Sequence, residues 1–176
     1  VPVLHLLDLV VFGGSLGVFF FRIANFINGE LFGRKASESL AWAVKFPSEM
    51  HLWLRGETRE LSSLYDVYPA VKALNPISWA GEPLSVTESL WRQWIQNFGS
   101  GGRAQQMIYR AVAQLIDATQ NGNEAVIQAL APALTPRHPS QIYQALMEGL
   151  LVFVILTLLW LKPRKPGVIA GSFGIL

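Results

Sequence analysis

The chain has 176 residues, enough for one domain of ordinary size. Apolar residues make up 51% of it and charged residues only 15%, against roughly 25% charged in soluble domains, and the mean hydropathy of +0.33 points to a membrane protein. A net charge of +2 with no basic run interleaved with aromatics argues against a nucleic-acid partner. Zero cysteines exclude disulfides and thiolate metal sites, and three scattered histidines offer no zinc site, so neither metal nor cofactor is expected.

Val3 to Phe21 is apolar apart from His5, Asp8 and Ser15. Such a run makes about 28 Å of helix, close to the thickness of a bilayer core. Gly13 and Gly17, with Gly14 beside them, form a small-residue pattern that predicts close packing against another helix. Asp8 and His5 lie one turn apart near the entry end, where they either pair or sit at the membrane interface, the second being expected. Next comes the polar stretch Arg22 to Arg34, in which arginines, asparagines and a glutamate alternate with Ile, Phe and Leu. Charges at the edge of a membrane span are costly unless paired, which marks them as functional candidates. An arginine at a helix end is also a common snorkelling anchor; what favours a site is the mixture of donors and acceptors, with Gly29 and Gly33 permitting tight turns.

From Ser48 to Pro136 the chain reads as a soluble insertion. Asn75-Pro76 and Gly81-Glu82-Pro83 mark loops. Ser85-Val86-Thr87-Glu88 has the pattern of a capping box, followed by Leu90, Trp91, Trp94, Ile95 and Phe98 at helical spacing. The two tryptophans are expected in a core or at an interface. Gly99 to Gly102 breaks that helix; a second runs through Met107, Ile108, Ala111, Val112, Leu115 and Ile116 to Asn121-Gly122, and a short third spans Glu124 to Leu130. A second membrane span starts near Pro139 with Ser140 as its N-cap, and ends at the basic loop Lys162 to Gly167. Val168 to Leu176 begins a third apolar segment. The expected division is residues 1–47, 48–136 and 137–176. The expected fold class is all-α, a multi-span integral membrane helical protein with an external helical insertion. With Val1 at one end and an apolar run at the other, the chain reads as a piece of a longer protein.

Charge sets the expected orientation. The short loop Lys162 to Gly167 carries three basic residues and no acid, which holds it in the cytoplasm. The long stretch between the spans then lies outside, and Arg22 falls at the outer leaflet beside the second polar cluster, Arg137 to Tyr143. A guanidinium there presents a planar fork that fits a phosphodiester and stays charged at any working pH. Asn25 and Asn28 can orient it or contact glycerol hydroxyls. His138 is either a proton carrier near neutral pH or a helix-entry residue whose ring bonds a carbonyl. Tyr143 reads as an interface anchor, and Glu148, two turns below Ser140, is a candidate partner for Arg22.

Arg22-Ile-Ala-Asn-Phe-Ile-Asn-Gly-Glu-Leu-Phe-Gly-Arg34 resembles the signature of the bacterial prolipoprotein diacylglyceryl transferases. Arg137-His-Pro-Ser-Gln-Ile-Tyr143 resembles a second block of that family, and Lys162 to Gly167 its short basic loop. The resemblance covers the first 47 residues and the last 40; the insertion is unmatched. It implies a multi-pass enzyme of the bacterial inner membrane, its site facing outward, that transfers the diacylglyceryl group of phosphatidylglycerol to the lipobox cysteine of a prolipoprotein signal peptide. Arg22 matches the phospholipid-binding arginine, and Asn25, Glu30 and Gly33 fall on supporting signature positions. The candidate catalytic set is Arg22, Asn25, Glu30 and His138. The candidate substrate-binding set is Arg22, Asn28, Gly33, Arg34, Ser140, Gln141 and Tyr143. A histidine-containing motif and a second arginine of the family do not lie in this stretch, so the stretch alone is expected to be inactive. The competing readings are a non-catalytic membrane protein that binds anionic phospholipid and presents an external helical module, and, last, a transporter.

Overall fold

The computed structural model describes residues 2–55 and 61–175; Leu176, the end of the third apolar segment, lies outside them. In chain order the principal elements are α1 (Val3–Ile27), α2 (Glu49–Arg55), a 3-10 turn (Leu61–Val67), α3 (Tyr68–Leu74), strands β1 (Ile77–Trp79) and β2 (Glu82–Leu84), α4 (Glu88–Gln96), α5 (Gly102–Gln120), α6 (Glu124–Leu130), α7 (Ser140–Trp160) and α8 (Val168–Phe173). They divide into two compact units, residues 1–44 with 137–176, and residues 45–136.

In the first unit, α1 and α7 are long and apolar enough to cross a membrane, with mean hydropathies of 2.0 and 2.1 over their most apolar stretches. Helix α1 does not stop at Phe21. It runs six residues further because nothing before Asn28-Gly29 breaks it, so Arg22 and Asn25 are helical residues on one face. It ends in a paired-bond stop: Gly29 takes a φ of +67°, its N–H donates to Phe26 O, and Glu30 N–H donates to Asn25 O. The first six residues of the polar stretch are thus helix, and the next three end it.

Two expectations about these helices fail, and a third is refined. Among the described residues nothing lies within 4 Å of where a Cβ would stand on Gly13, Gly14 or Gly17. The close crossing is made instead by Gly149 of α7, whose Cβ would fall 2.6 Å from the backbone of Phe19; only hydrogen fits there. Phe12 packs on Phe153 and Trp160, with ring centroids 4.9 and 5.3 Å away. Asp8, expected at the membrane interface, gains partners that the sequence did not show. It is buried, and its two oxygens accept from Gly167 N and Ala170 N, 2.8 Å each, capping the start of α8. Ser140 is not an N-cap either: Pro139 holds that position, and the Ser140 hydroxyl is used elsewhere.

The second unit folds around Met50, Trp53, Leu64, Val71, Trp91, Ile108, Val112, Leu115 and Leu130, all within one buried cluster. The three amphipathic helices read from the sequence are α4, α5 and α6. Trp91 and Trp94 are core residues, and the Trp91 indole donates to Leu64 O at 2.8 Å. The cap of α4 is Thr87, whose Oγ1 accepts from Leu90 N, rather than Ser85. Helices α2 and α3 and the hairpin come in addition. The Gly81-Glu82-Pro83 loop is the hairpin's turn and second strand, with Ile77 opposite Leu84, and Gln114 of α5 bonds both the N–H and the carbonyl of Ser78.

Candidate functional site

The two sequence blocks that drew attention lie together in the first unit, joined mainly through backbone. Gly33 N–H donates to His138 O at 3.0 Å, and His138 N–H donates to Arg34 O at 3.0 Å. Gln141, fully buried at the start of α7, donates its Nε2 to Glu30 O at 2.6 Å. The Ser140 hydroxyl donates to Leu31 O at 3.1 Å, and Arg137 Nη1 donates to Gly33 O at 3.2 Å. Arg137 also lies over the Phe32 ring, 4.7 Å from its centroid. Residues 137–141 therefore act as a clamp on residues 30–34.

The clamp explains two local peculiarities. A Cβ on Gly33 would stand 2.5 Å from His138 O, so this glycine is required for close approach rather than for a turn. Leu31 has a φ of +53°, a conformation that costs a non-glycine residue about 1 kcal/mol or more. The bonds to its own carbonyl and to that of Glu30 hold it there. Strain of this kind persists where surrounding contacts over-determine the backbone, and it clusters at functional sites.

Above the clamp, α1 presents Arg22 and Asn25. The Arg22 side chain is 23% exposed, and its Nη2 faces Glu148 Oε2 of α7 at 3.7 Å, an ion pair too long for a hydrogen bond. Arg22 Nε and Asn25 Nδ2 are buried donors, and Gln141 Oε1 a buried acceptor, without hydrogen-bond partners among the described residues. Buried polar groups are ordinarily satisfied, so unmatched ones call for an occupant. Two of the three are donors beside a fixed positive charge, which suits an anion with several acceptor oxygens. Glu148 also heads an open groove of about 400 Å³ along α7, lined by Met147, Leu151, Val152, Ile155 and Phe173.

Other candidates stand apart from this cluster. Asn28 is exposed and serves as the C-cap of α1. The side chains of Glu30 and Arg34 are exposed, and both residues enter the clamp through backbone atoms. Tyr143 hydroxyl accepts from Trp42 Nε1 at 2.8 Å and lies 3.3 Å from His138 Nδ1. His138 thus has a hydroxyl partner on its ring, in place of the carbonyl considered from sequence. Sequence reasoning missed the Trp42 contact, because nothing local ties residues 101 positions apart. It placed Arg137 in the second polar cluster but gave it no role, although the structure bonds it to Gly33 O. Among the described residues no group of histidines and carboxylates could hold a metal ion.

The family model for prolipoprotein diacylglyceryl transferase matches residues 1–176. A phosphatidylglycerol–prolipoprotein diacylglyceryl transferase of Bdellovibrio bacteriovorus is 42% identical over 97% of this chain and 45% of its own length. Proteins of the same name from Ralstonia pickettii and Neisseria meningitidis serogroup B are 30% and 29% identical, covering 86% and 97% of this chain and 32% and 38% of theirs. The chain thus spans less than half the length of these relatives. No solved structure matches it. With a match along its whole length and both polar blocks joined in one cluster, the chain belongs to the prolipoprotein diacylglyceryl transferase family.

Proposed function

We propose that this segment forms the headgroup end of the lipid site in an enzyme that moves the diacylglyceryl group of phosphatidylglycerol onto the lipobox cysteine of a prolipoprotein. In that reaction the cysteine sulfur attacks the glycerol carbon, the carbon–oxygen bond to phosphate breaks, and glycerol phosphate leaves. The observation that carries the reading is the Arg22 guanidinium, mostly buried, with its Nε unpartnered one helical turn from the unpartnered amide of Asn25. Both donors suit the phosphate, whose charge grows as the bond breaks. An acyl chain extends along the groove below Glu148. Gly33, Ser140 and Gln141 act by fixing the backbone of residues 30–34 around the headgroup, with Glu30, Arg34 and Asn28 at its rim.

The thiol must lose a proton to become a nucleophile. His138, with Tyr143 at its Nδ1, is the group in this stretch suited to carry one. The site lies at the outer face of the bacterial inner membrane, with the basic loop 162–167 in the cytoplasm and residues 48–136 outside, as the charge asymmetry of the loops favours.

Arg22→Ala in the whole enzyme tests this. Transfer from phosphatidylglycerol to a prolipoprotein peptide, followed in proteoliposomes, should fall at least a hundredfold, as for loss of one donor to a developing oxyanion, while membrane insertion is unchanged. Arg22→Lys keeps the charge but loses the fork and should recover only part of the activity. Full transfer by Arg22→Ala overturns the reading; lipid binding without any transfer by the unaltered whole protein supports a non-catalytic lipid-binding protein instead.

A further inference from the structure

The planar edge of a guanidinium that grips a phosphate side-on consists of Nε and Nη2. In Arg22 that edge is held but not filled. Glu148 faces Nη2 from 3.7 Å, and Nε has no partner among the described residues. A carboxylate in the position of an arriving anion, near enough to neutralise and too far to bond, has the geometry of a placeholder. We propose that Glu148 is the resting counter-ion of Arg22, displaced when a phosphodiester headgroup takes the Nε–Nη2 edge. The inference rests on the lipid site proposed above and assigns a positioning residue to it.

Two features of the fold put Glu148 there. Residues Ala145–Leu151 form a π-helical stretch within α7. Its wider turn rotates the following residues relative to an α-helix, and such turns recur at functional sites. Gly149 lies against the Phe19 backbone. On the facing helix Phe19 is one turn before Arg22, so the crossing at Gly149 carries its neighbour Glu148 to the guanidinium. The Glu148 side chain is 55% exposed, against 23% for Arg22. The carboxylate therefore has open space to swing into, while the arginine stays fixed. A charge kept paired in the empty site avoids the penalty of an uncompensated buried cation. The cost is competition with the substrate.

Competition of this kind has a kinetic signature. Glu148→Gln in the whole enzyme, assayed in proteoliposomes of graded phosphatidylglycerol content, should lower KM by about two- to fivefold, the strength of a partly exposed ion pair. The gain should appear in KM rather than kcat. Glu148→Asp, whose shorter arm weakens the pair, should fall between the two; Glu148→Ala repeats the test should the amide variant fail to insert. A KM unchanged or raised in these variants overturns the inference. Arg22→Ala, run alongside, separates the two levels. If it abolishes transfer while Glu148→Gln leaves KM unmoved, only the counter-ion role fails; if Arg22→Ala is fully active, the lipid site itself fails.

Discussion

Gly33 illustrates how little space the clamp leaves at the scale of single residues. Its missing side chain lets the 30–34 backbone approach His138 O, where a Cβ would sit at 2.5 Å. Gly33→Ala must push that carbonyl away, breaking the paired bonds Gly33 N to His138 O and His138 N to Arg34 O. Overpacking of this sort costs about 1–3 kcal/mol. The expected outcome is a folded, inserted protein with strongly reduced transfer, measured against membrane abundance. Wild-type transfer by the alanine variant would show that the clamp is not needed. The residues of a signature need not all face a ligand: Gly29 stops a helix, Gly33 permits contact, and Gln141 and Ser140 spend their donors on backbone carbonyls.

The pairing of α1 with α7 depends at the element scale on Gly149. Phe19 backbone atoms lie 2.6 Å from its would-be Cβ, and backbone cannot move aside as the end of a flexible side chain can. Gly149→Leu should force the two helices apart and displace the α1 residues Arg22 and Asn25 from α7, with loss of transfer and of thermal stability in detergent. Ile169→Ala in α8 is a fair control, since it removes buried volume without touching that crossing. Comparable damage from both would argue against a special role for the crossing. The exposed glycines of α1 teach a complementary lesson. A small-residue pattern says that a close approach is sterically possible, but which helix face is used depends on the partner's surface. Asp8 shows the same for polar residues. From sequence it is an interfacial charge; in the structure it satisfies the free N–H groups at the start of α8, where its buried carboxylate is fully bonded.

For the molecule as a whole, the unit of residues 45–136 has its own buried apolar cluster, and one histidine beside it ties its stability to pH. His51, an exposed residue of α2, has a pKa held below the usual histidine value by partial desolvation and by the nearby Arg55 charge. Its protonated form is therefore favoured more in the unfolded chain than in the folded one. The resulting stability is fully present above about pH 6.5, the unfolded value, and is lost as pH falls from there through the folded pKa. Thermal melts of the full chain should show the transition of this unit moving to lower temperature between pH 7 and pH 5, and His51→Gln should flatten that dependence. An identical slope in the variant would assign the effect to other groups.

The sequence by itself determined the two apolar helices, the three amphipathic helices of residues 88–130, and the two polar blocks that the fold brings together. Each of these is written in local periodicity, local hydropathy or a contiguous string. Arg22 and its partner Glu148 were legible too, because charges within apolar runs stand out. Only the tertiary structure decided that α1 continues to Ile27, that Gly149 rather than Gly13 or Gly17 makes the close crossing, that Thr87 caps α4, and that Asp8 and Ser140 bond backbone far away in sequence. For Gly149, Asp8 and Ser140 the reason is the same. A hydrogen bond or a steric contact depends on which atoms from distant positions arrive within about 3 Å, and no pattern along one stretch of chain encodes what will be waiting on the other side.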